Sequence, residues 1–335
     1  MPRILIVTDA WHPLVNGVVR TLDTTARTLR ESGHIVEVLE PSAFSQVAVP
    51  FYPEIRVSLP WPHRVFDRIR TFKPDHVHIS TEGPLGLLAR RFCVSRGWRF
   101  STSYHTRFPE YLKTLAGVPE GGTYRFLRWF HNGGASLMVA TPSLEAELKA
   151  RGFTTPIRRW SRGVDLGTFR PRPRADLGFP RPVLLYVGRV SAEKGIEEFL
   201  KLDTPGTKVV VGDGPLRAAL ERRYPAVKFL GYRKGDALGE CYAAADLFVF
   251  PSRTDTFGLV VIEALACGLP VAAFPATGPI DILTRPELGC TNEDLGAAVR
   301  TALADGDRAA CAAEGAGYTW AHCTAQFASN LVPAR

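Results

Sequence analysis

The stretch "DLFVFPSRTDTFGLVVIEALACGLPVAA", residues 246–273, contains a strand, a helix and a second strand in immediate succession. Its first and last apolar runs are typical of buried strands. The segment from Phe257 to Ala266 between them is apolar on every side, which predicts a helix inside the protein. A strand, a helix and a strand in this order form the unit from which parallel sheets are built. The stretch therefore predicts an α/β fold.

The same alternation occurs twice along the 335 residues. We predict two Rossmann-like domains, at 1–160 and 181–318, joined by a Pro- and Arg-rich linker at 161–180. The final residues, 319–335, have a helical pattern and are expected to pack back on the first domain. In doubly wound folds, ligands bind at the carboxyl ends of the strands. We therefore expect the site there, in a cleft across which the two parallel sheets face each other.

The amino-acid composition is that of a soluble globular protein. A hydrophobic content of 45% with 22% charged residues is typical of a soluble globular protein. No apolar run is long enough to span a bilayer, and the N-terminus lacks the pattern of a signal peptide. The six cysteines are scattered and form no CxxC pair, which favours reduced thiols in the cytoplasm over a disulfide framework or a zinc site. The formal charge of +8 indicates an anionic partner of unspecified kind.

Two basic residues lie where an anion could bind in the second half. In "YVGRVSAEKGIEEFL" a predicted strand ends at Val187 and Gly188 allows a close turn. A helix is predicted to start near Glu193 or Lys194, which places Arg189 at the strand end and Lys194 at the helix start. Cations beside the free N–H groups of a helix start can neutralise a diphosphate. A solvated pair of side chains on an ordinary loop would give the same pattern.

A second glycine-rich turn, "VVVGDGP", contains Gly212 and also joins a strand to a helix. Such a turn is weak evidence by itself, because any tight strand-to-helix connection favours glycine. Neither GxGxxG nor GxxxxGK[ST] occurs in the chain. This argues against NAD binding and against P-loop phosphoryl transfer.

Two acids flank the helix of the opening stretch. Asp255 precedes it and Glu263 lies in its apolar middle, where an ionised carboxylate is costly unless partners compensate. A ribose diol would satisfy Glu263, while Asp255 and the backbone N–H groups of Phe257 and Gly258 could reach the rest of a ligand. The alternatives are that Asp255 caps the helix and that Glu263 forms a structural ion pair with an arginine.

The first domain offers three candidates. Asn16 and Gly17, in "HPLVNGVVR", stand at the predicted start of the first helix, where backbone can approach a phosphate. His105 follows the strand "RFSTSY", which places it at the carboxyl end of the sheet, where it could hydrogen-bond a sugar or stabilise a charge. An unremarkable polar contact is the alternative. No Ser–His–Asp order, HExxH motif or Cys/His cluster indicates a hydrolytic or metal centre.

Taken together, these segments resemble retaining glycosyltransferases of family 4. The resemblance runs in order through "PLVNGVVRT", "SYHTRFPEY", "GRVSAEKG", "VVVGDGP", "VKFLGY" and the stretch quoted first, and so covers nearly the whole chain. It implies the GT-B fold, a nucleotide-sugar donor held mainly by the second domain, and no metal or other cofactor. The donor would be a UDP-sugar or a GDP-sugar.

The resemblance also implies roles for individual residues. Arg189 and Lys194 would neutralise the donor diphosphate, Asp255 would face the hydroxyls of the donor sugar, and His105 would lie near the reacting centre. The first acid of the family's E-x7-E motif is an aspartate here, one methylene shorter than usual. The other donor-binding residues implied are Asn16, Gly17, Gly188, Gly212, Tyr232, Arg233, Thr256, Phe257, Gly258, Leu259 and Glu263.

The implied reaction transfers a hexose with retained anomeric configuration. No carboxylate is placed to act as a covalent nucleophile by the two-carboxylate logic of glycosidases. Members of the family are thought to use attack on the front face, with the leaving phosphate oxygen accepting the proton of the acceptor. Catalysis would then rest on stabilising the departing diphosphate and on positioning.

The acceptor is indicated only weakly. Residues 59–74 and the segment "TYRFLRWFHNGG" mix arginines with aromatic residues, as interfacial segments do, although buried aromatics beside solvated arginines would look the same. Relatives with a "TDTFG" stretch often glycosylate membrane lipids. The sequence thus predicts a lipid acceptor such as diacylglycerol or a phosphoinositide, and a peripheral enzyme on the inner face of the cell membrane.

Four alternatives remain open at this point. The enzyme could act on a soluble or polysaccharide acceptor, or could be a nucleotide-sugar 2-epimerase, which needs no acceptor. The positive charge would also suit a nucleic-acid-binding protein, but no nucleic-acid motif is present. A silent binding module is disfavoured because every charged motif position keeps a charged residue.

Overall fold

The structure is a computed structural model that describes residues 1–14, 16–49, 52–174 and 178–335, and these form two compact units. The first unit consists of Met1–Arg162 together with Trp320–Arg335, and the second of Gly163–Thr319. Of the predicted linker, residues 175–177 lie outside the described residues, and the part from Gly163 onward belongs to the second unit.

The first unit has a six-stranded parallel sheet and a separate antiparallel hairpin. Its strands are β1 (Arg3–Val7), β2 (Ile35–Leu39), β3 (Gln46–Val49), β4 (Tyr52–Ser58), β5 (His76–Ile79), β6 (Ser101–Ser103), β7 (Ser136–Val139) and β8 (Ile157–Arg159). Its helices are α1 (Gly17–Glu31), α2 (Pro62–Phe72), α3 (Pro84–Val94), α4 (Phe108–Ala116), α5 (Glu120–His131) and α6 (Pro142–Ala150), with a 3₁₀ turn at Pro41–Ala43. The order of the sheet is β2-β1-β5-β6-β7-β8, and β3 pairs with β4.

The second unit repeats this plan without a hairpin among its described residues. Its strands are β9 (Val183–Val187), β10 (Thr207–Val211), β11 (Lys228–Gly231), β12 (Leu247–Phe250), β13 (Val271–Ala273) and β14 (Gly289–Thr291). Its helices are α7 (Ile196–Leu200), α8 (Arg217–Arg223), α9 (Asp236–Ala244), α10 (Leu259–Ala266), α11 (Pro279–Ile282), α12 (Leu295–Asp305) and α13 (Arg308–Ala316), with 3₁₀ turns at Ala192–Lys194 and Pro286–Leu288.

The order of the second sheet is β11-β10-β9-β12-β13-β14, and all its pairs are parallel. From β9 the chain first builds outward through β10 and β11, and then returns to add β12 on the other side of β9. In doubly wound sheets such a reversal leaves a crevice at the carboxyl ends of the two central strands, and ligands bind there. The fold thus predicts that a ligand binds to the segments that follow β9 and β12.

Burial explains why these segments form sheet and helix. Every residue of β9 and of β12 is buried, as expected for central parallel strands covered on both faces. Helix α10 is buried along most of its length and packs against α13 as well as against the sheet. The prediction of two Rossmann-like parallel sheets is confirmed.

Several predicted details are wrong or incomplete. Helix α10 begins at Leu259 and not at Phe257, because Gly258 at its N-cap has a φ of +85° and so lies outside the helix. Strands β8, β14 and the β3–β4 hairpin were not predicted. Strands β8 and β14 are three residues long and carry few apolar residues, and β3 is only four residues long.

The chain ends in a helix, α14 (Trp320–Asn330), that packs on α1 and contacts β8. Phe327 of this helix is fully buried and lies against the ring of Trp160, with the two centroids 4.8 Å apart. The first unit is therefore built from both ends of the sequence.

Candidate functional site

The segments after β9 and β12 meet at the crevice of the second unit. Lys194 Nζ lies 2.7 Å from Asp255 Oδ1, which is an ion pair between residues 61 positions apart. Nearby, the hydroxyl of Thr254 donates a hydrogen bond to the backbone oxygen of Glu193 over 3.0 Å. Two of the predicted site residues are thus in direct contact, at the place where the strand order reverses.

The glycine-containing turns that follow β9 and β10 pack tightly against each other at the carboxyl edge of the second sheet. Gly212 has a φ of +142°, and a Cβ at this position would lie 1.9 Å from the carbonyl oxygen of Gly188. The hydroxyl of Tyr186 donates to the backbone oxygen of Arg189 over 2.7 Å and so fixes the turn that carries this half-buried arginine. Gly188 and Gly212 therefore bring the ends of β9 and β10 close together, which holds Arg189 at the crevice.

Asp255 is held in its charged form. Burial by itself would raise the pKa of this carboxyl, but the Lys194 ammonium and its hydrogen bond outweigh that effect and lower the pKa below its usual value. Oδ2 is buried and accepts no hydrogen bond of normal geometry from the described residues, although the Ser252 hydroxyl also favours the charged form. One oxygen of Asp255 thus holds Lys194, while the second oxygen is buried.

Asp255 is not the cap of helix α10. The cap is Gly258, without a side-chain hydrogen bond to the first turn. Thr256 and Phe257 are buried just before it, and Leu259 is the half-buried first residue of the helix. The first N–H groups of α10 have no partner within the helix, and Asp255 does not occupy them.

Glu263 is buried, with 2% of its surface exposed, and its Oε2 accepts a hydrogen bond from the hydroxyl of Tyr242 over 3.1 Å. The sequence analysis missed Tyr242, which lies on α9 and is fully buried. The available signal was weak: a tyrosine inside an apolar segment needs a partner for its hydroxyl. A carboxylate can accept about four hydrogen bonds, so the tyrosine does not exhaust the capacity of Glu263.

Tyr232 and Arg233 follow β11, two strands away from β9. Both are exposed, and 55% of the surface of Tyr232 faces solvent. They lie at the same carboxyl edge of the sheet as Lys194 and Asp255 but beyond β10. The structure places them in the same unit and does not bring them into contact with the ion pair.

In the first unit, Asn16 caps helix α1. Its Oδ1 accepts a hydrogen bond from the backbone N–H of Val19 over 2.9 Å, and Gly17 is the first residue of the helix. This geometry explains Asn16 by helix capping alone. The N–H of Gly17 stands at the free end of the helix, at the carboxyl edge of β1.

His105, also in the first unit, uses both of its ring nitrogens inside the protein. Nδ1 lies 3.2 Å from Nη2 of Arg162, and Nε2 lies 2.8 Å from Oγ of Ser103. Burial and then the Arg162 cation lower the pKa of His105 well below its usual value, so the ring is neutral at pH 7. The sequence analysis missed both partners.

The described residues contain no group of three or more His, Cys, Asp or Glu side chains arranged to hold a metal ion. All six cysteines are free, and all but Cys290 are buried. No helix in the described part of the chain has the length and apolar character that crossing a membrane requires.

Two family signatures match the chain in sequence. Residues 15–168 match Glycosyltransferase Family 4, and residues 181–305 match Glycosyl transferases group 1. Each match falls largely within one of the two units.

Similar proteins of known function support the same assignment. The sulfoquinovosyl transferase SQD2 of Arabidopsis thaliana is 31% identical over 90% of this chain and 66% of its own length. A GDP-mannose-dependent alpha-mannosyltransferase of Mycobacterium tuberculosis is 31% identical over 86% of this chain and 82% of its own. The alpha-monoglucosyldiacylglycerol synthase of Acholeplasma laidlawii is 27% identical over 80% of this chain and 79% of its own.

Solved structures share the fold. The sucrose-phosphate synthase of Thermosynechococcus elongatus has a TM-score of 0.77 at 20% identity, with 98% of each chain covered. HepE of Anabaena, in complex with UDP and glucose, has a TM-score of 0.72 at 18% identity, with 98% of this chain and 99% of that one covered. With both halves matched by family signatures and this architecture shared with GT-B enzymes, the chain belongs to glycosyltransferase family 4.

Proposed function

We propose that this glycosyltransferase moves a hexose from a nucleotide diphosphate-sugar to a hydroxyl group of a membrane lipid, with retention of configuration and without a metal. The observation that carries the proposal is the Lys194–Asp255 pair at the reversal point of the second sheet. A cation and a carboxylate with a spare oxygen, side by side, suit a diphosphate that carries a sugar.

The donor would lie along the carboxyl edge of the second unit. Arg189 and Lys194 would bind the diphosphate, and the spare oxygen of Asp255 would accept a hydrogen bond from the sugar. Glu263 would bind the ribose diol through its carboxylate oxygens. The base would lie near Tyr232 and Arg233, which are exposed at the same edge.

In the reaction, the bond between the anomeric carbon and the phosphate oxygen breaks while the acceptor oxygen bonds to the same face of the carbon. The acceptor proton passes to the leaving diphosphate oxygen. Lys194 and Arg189 would stabilise the charge that develops on the diphosphate, which is the largest contribution expected from such preorganised groups. Because both ring nitrogens of His105 are already hydrogen-bonded, this residue would contact the sugar through its backbone and ring edge and would not act as a general base.

A lipid acceptor is supported by the surface of the first unit and by the similarity to the alpha-monoglucosyldiacylglycerol synthase of Acholeplasma laidlawii. On α5, Phe126 and Trp129 are 37% and 52% exposed, with the exposed Arg125 beside them. The guanidinium of Arg90, on α3, stacks on Trp129 at 3.8 Å from the ring centroid. An exposed face that mixes aromatic side chains with arginines fits the interface of an anionic membrane.

Helix α3 connects this face to α2, because Phe66 and Phe92 pack with their centroids 5.4 Å apart. Trp61, at the start of α2, is 63% exposed, and Arg64 lies exposed one turn later. The predicted basic-aromatic segments are thus partly core and partly surface. Phe72, Tyr124 and Phe130 are buried, whereas Trp61, Phe126 and Trp129 remain exposed and define what we call the aromatic face. We propose that this face attaches the protein peripherally to the cytoplasmic leaflet.

A transfer assay tests the proposal. UDP-glucose, GDP-mannose and related donors are incubated with the protein and with diacylglycerol or phosphatidylinositol in mixed micelles, with EDTA present. We expect one donor to give an α-linked glycolipid at an undiminished rate under EDTA. A β-linked product, transfer only to soluble acceptors, or epimerisation of the donor without any acceptor would each contradict the corresponding part of the proposal.

A further inference from the structure

Arg162 is a buried cation that forms no ion pair with an acidic residue in the described part of the chain. Only 4% of its surface is exposed, and its Nη1 donates to the backbone oxygens of Trp160 and Ser161 over 2.7 and 3.0 Å. Within the described residues, the ion pairs of the first unit do not include Arg162, and Cys323 is the group that favours its charge. Burying a guanidinium without a carboxylate is unfavourable. Such a residue is better explained by what it does to a neighbour than by what it adds to stability.

That neighbour is His105. Nη2 of Arg162 lies 3.2 Å from Nδ1 of the imidazole. A guanidinium offers only hydrogen-bond donors, so Nδ1 must be the acceptor and must carry no proton. A neutral imidazole carries one proton, which is then on Nε2 and is donated to Ser103 Oγ over 2.8 Å. The direction of this contact follows from the chemistry of Arg162 and needs no observed hydrogen atom.

The hydrogen bonds continue from Ser103 to His78 in the core of the sheet. Ser103 Oγ accepts from His105 and so has its own proton for His78 Nε2, 3.1 Å away. When Ser103 donates in this way, His78 carries its proton on Nδ1, which lies 2.9 Å from Ser101 Oγ. Arg162 therefore stands at the start of a chain of hydrogen bonds that runs through His105 and Ser103 to His78 and Ser101. It fixes the direction of the first two links, from Arg162 to His105 and from His105 to Ser103.

We propose that Arg162 is a positioning residue that holds His105 as the neutral tautomer with its proton on Nε2 and fixes the plane of its ring. The proposal rests on the proposed function only in assigning His105 a place beside the donor sugar. With its ring held at both nitrogens, the residue presents a constant edge and backbone to the ligand. Packing adds to this constraint, since the ring of Trp160 stands edge-on to His105 at 5.4 Å.

Three charged or titratable groups of the described residues oppose the protonation of His105. Arg162 faces it from the segment after β8, His78 from β5 and His131 from α5. Together with burial, which has the largest effect, they keep the pKa of His105 well below its usual value of about 6.5. His78 is itself held neutral, since burial lowers its pKa to about 3.

Nuclear magnetic resonance of ligand-free protein labelled with ¹⁵N-histidine tests the tautomer directly. The pair of variants is Arg162→Gln, which keeps a donor for Nδ1, and Arg162→Met, which removes it; His105→Gln assigns the signals. In the wild-type protein we expect an unprotonated Nδ1, a protonated Nε2 and no titration of His105 between pH 5.5 and 8. The Gln variant should keep this state. The Met variant should show a mixture of tautomers and a His105 pKa that rises but stays below its usual value, because the burial of the ring remains.

A wild-type signal with the proton on Nδ1, or a His105 that titrates near pH 6.5, would overturn the proposal even if the Met variant failed to fold. So would a folded Met variant with the wild-type spectrum. The pH dependence of kcat/KM gives a second readout. We expect the kcat/KM of the Met variant to fall about tenfold to hundredfold at pH 7 and to decrease further at acid pH values where the wild-type kcat/KM stays constant. Because the spectra are taken without donor or acceptor, absence of glycosyl transfer would count against the proposed function and leave the positioning role to be judged by the tautomer.

Discussion

At the scale of single residues, Lys194 and Asp255 form an ion pair at the point where we propose that a diphosphate binds. The carboxylate keeps the lysine oriented, and the lysine keeps the carboxylate charged despite its burial. In the proposed donor complex, the ammonium would lie between the Asp255 carboxylate and the phosphates, and the carboxylate would accept a hydrogen bond from the sugar. The pair is therefore preorganised for a ligand with a diphosphate next to a sugar.

We expect Lys194→Ala to lower kcat/KM about 10²–10³-fold, since it removes a cation from the leaving diphosphate and leaves the Asp255 charge to repel it. The double variant Lys194→Ala/Asp255→Asn removes that repulsion and should regain donor binding but not turnover. Lys201→Ala, on the exposed side of the same unit, is the matched control and should keep the wild-type rate. Initial rates with saturating lipid measure the effect, and near-normal activity of Lys194→Ala would count against the site.

Glu263 can be tested separately from its tyrosine partner. Glu263→Gln keeps the size of the side chain and removes the charge, so nucleotide binding should weaken about tenfold to hundredfold. Tyr242→Phe removes the hydroxyl that donates to Glu263 and also lies 3.4 Å from the backbone oxygen of Val260, and should cost about 1 kcal/mol of stability with little effect on binding. Isothermal titration with the free nucleotide compares the two. Equal loss of affinity in both variants would indicate that Glu263 has a structural role alone.

At the scale of elements, the glycine turns after β9 and β10 set the geometry of the crevice. Gly212→Ala would place a Cβ against the Gly188 carbonyl, and we expect it to destabilise the protein by about 2–4 kcal/mol. Gly121→Ala, in the first turn of α5 with no atom within 4 Å of the added Cβ, is the control and should be neutral. Chemical denaturation measures both, and an unchanged Gly212→Ala would contradict the close approach of the two turns.

The aromatic face is a property of α2 and α5 as elements. Replacing Phe126 and Trp129 by serine should weaken sedimentation with anionic liposomes at low salt about tenfold or more, because two exposed aromatic rings no longer enter the interface. Ile280→Ser, an exposed apolar residue of the second unit, should have no effect. Transfer to a short, water-soluble acceptor should survive in the double variant. Wild-type protein that fails to sediment under these conditions would rule out the membrane proposal.

Some secondary-structure elements could be predicted from the sequence alone and others could not. The buried strands β9 and β12 and the helix α10 were predictable, because a continuous apolar run needs an interior on both faces. Strand β8, "IRR", was not, since it is short and polar and owes its conformation to its neighbour β7. The contacts of the site also depend on neighbours in the folded sheet. The types of residue in the site could therefore be predicted from the sequence, but the contacts between them could not. The Lys194–Asp255 pair and the histidine–serine chain join residues that are distant in sequence and become neighbours only in the folded sheet.

At the scale of the whole molecule, buried neutral histidines make stability depend on pH. The folded pKa of His78 is about 3, below the value of about 6.5 expected in the unfolded chain. Below pH 6.5 the unfolded state binds a proton that the folded state refuses, so stability falls as the pH drops from 6.5 towards 3. His105 acts in the same direction.

The melting temperature should therefore decrease steadily from pH 7 to pH 4, with each such histidine contributing up to about 1.4 kcal/mol per pH unit. His78→Gln, which can keep a donor and an acceptor for the two serines, should flatten this dependence. The exposed His63→Gln is the control and should leave the slope unchanged. A melting temperature of His78→Gln that follows the wild-type slope would show that His78 is not the group concerned.

The central claim is that one edge of the second sheet binds a nucleotide diphosphate. A crystal structure of the protein grown with UDP or GDP, whichever raises the melting temperature more, tests it most directly. The account predicts the diphosphate beside Arg189 and Lys194, with the ribose hydroxyls on Glu263. A nucleotide bound elsewhere, with the Lys194–Asp255 pair and Glu263 untouched, would contradict it.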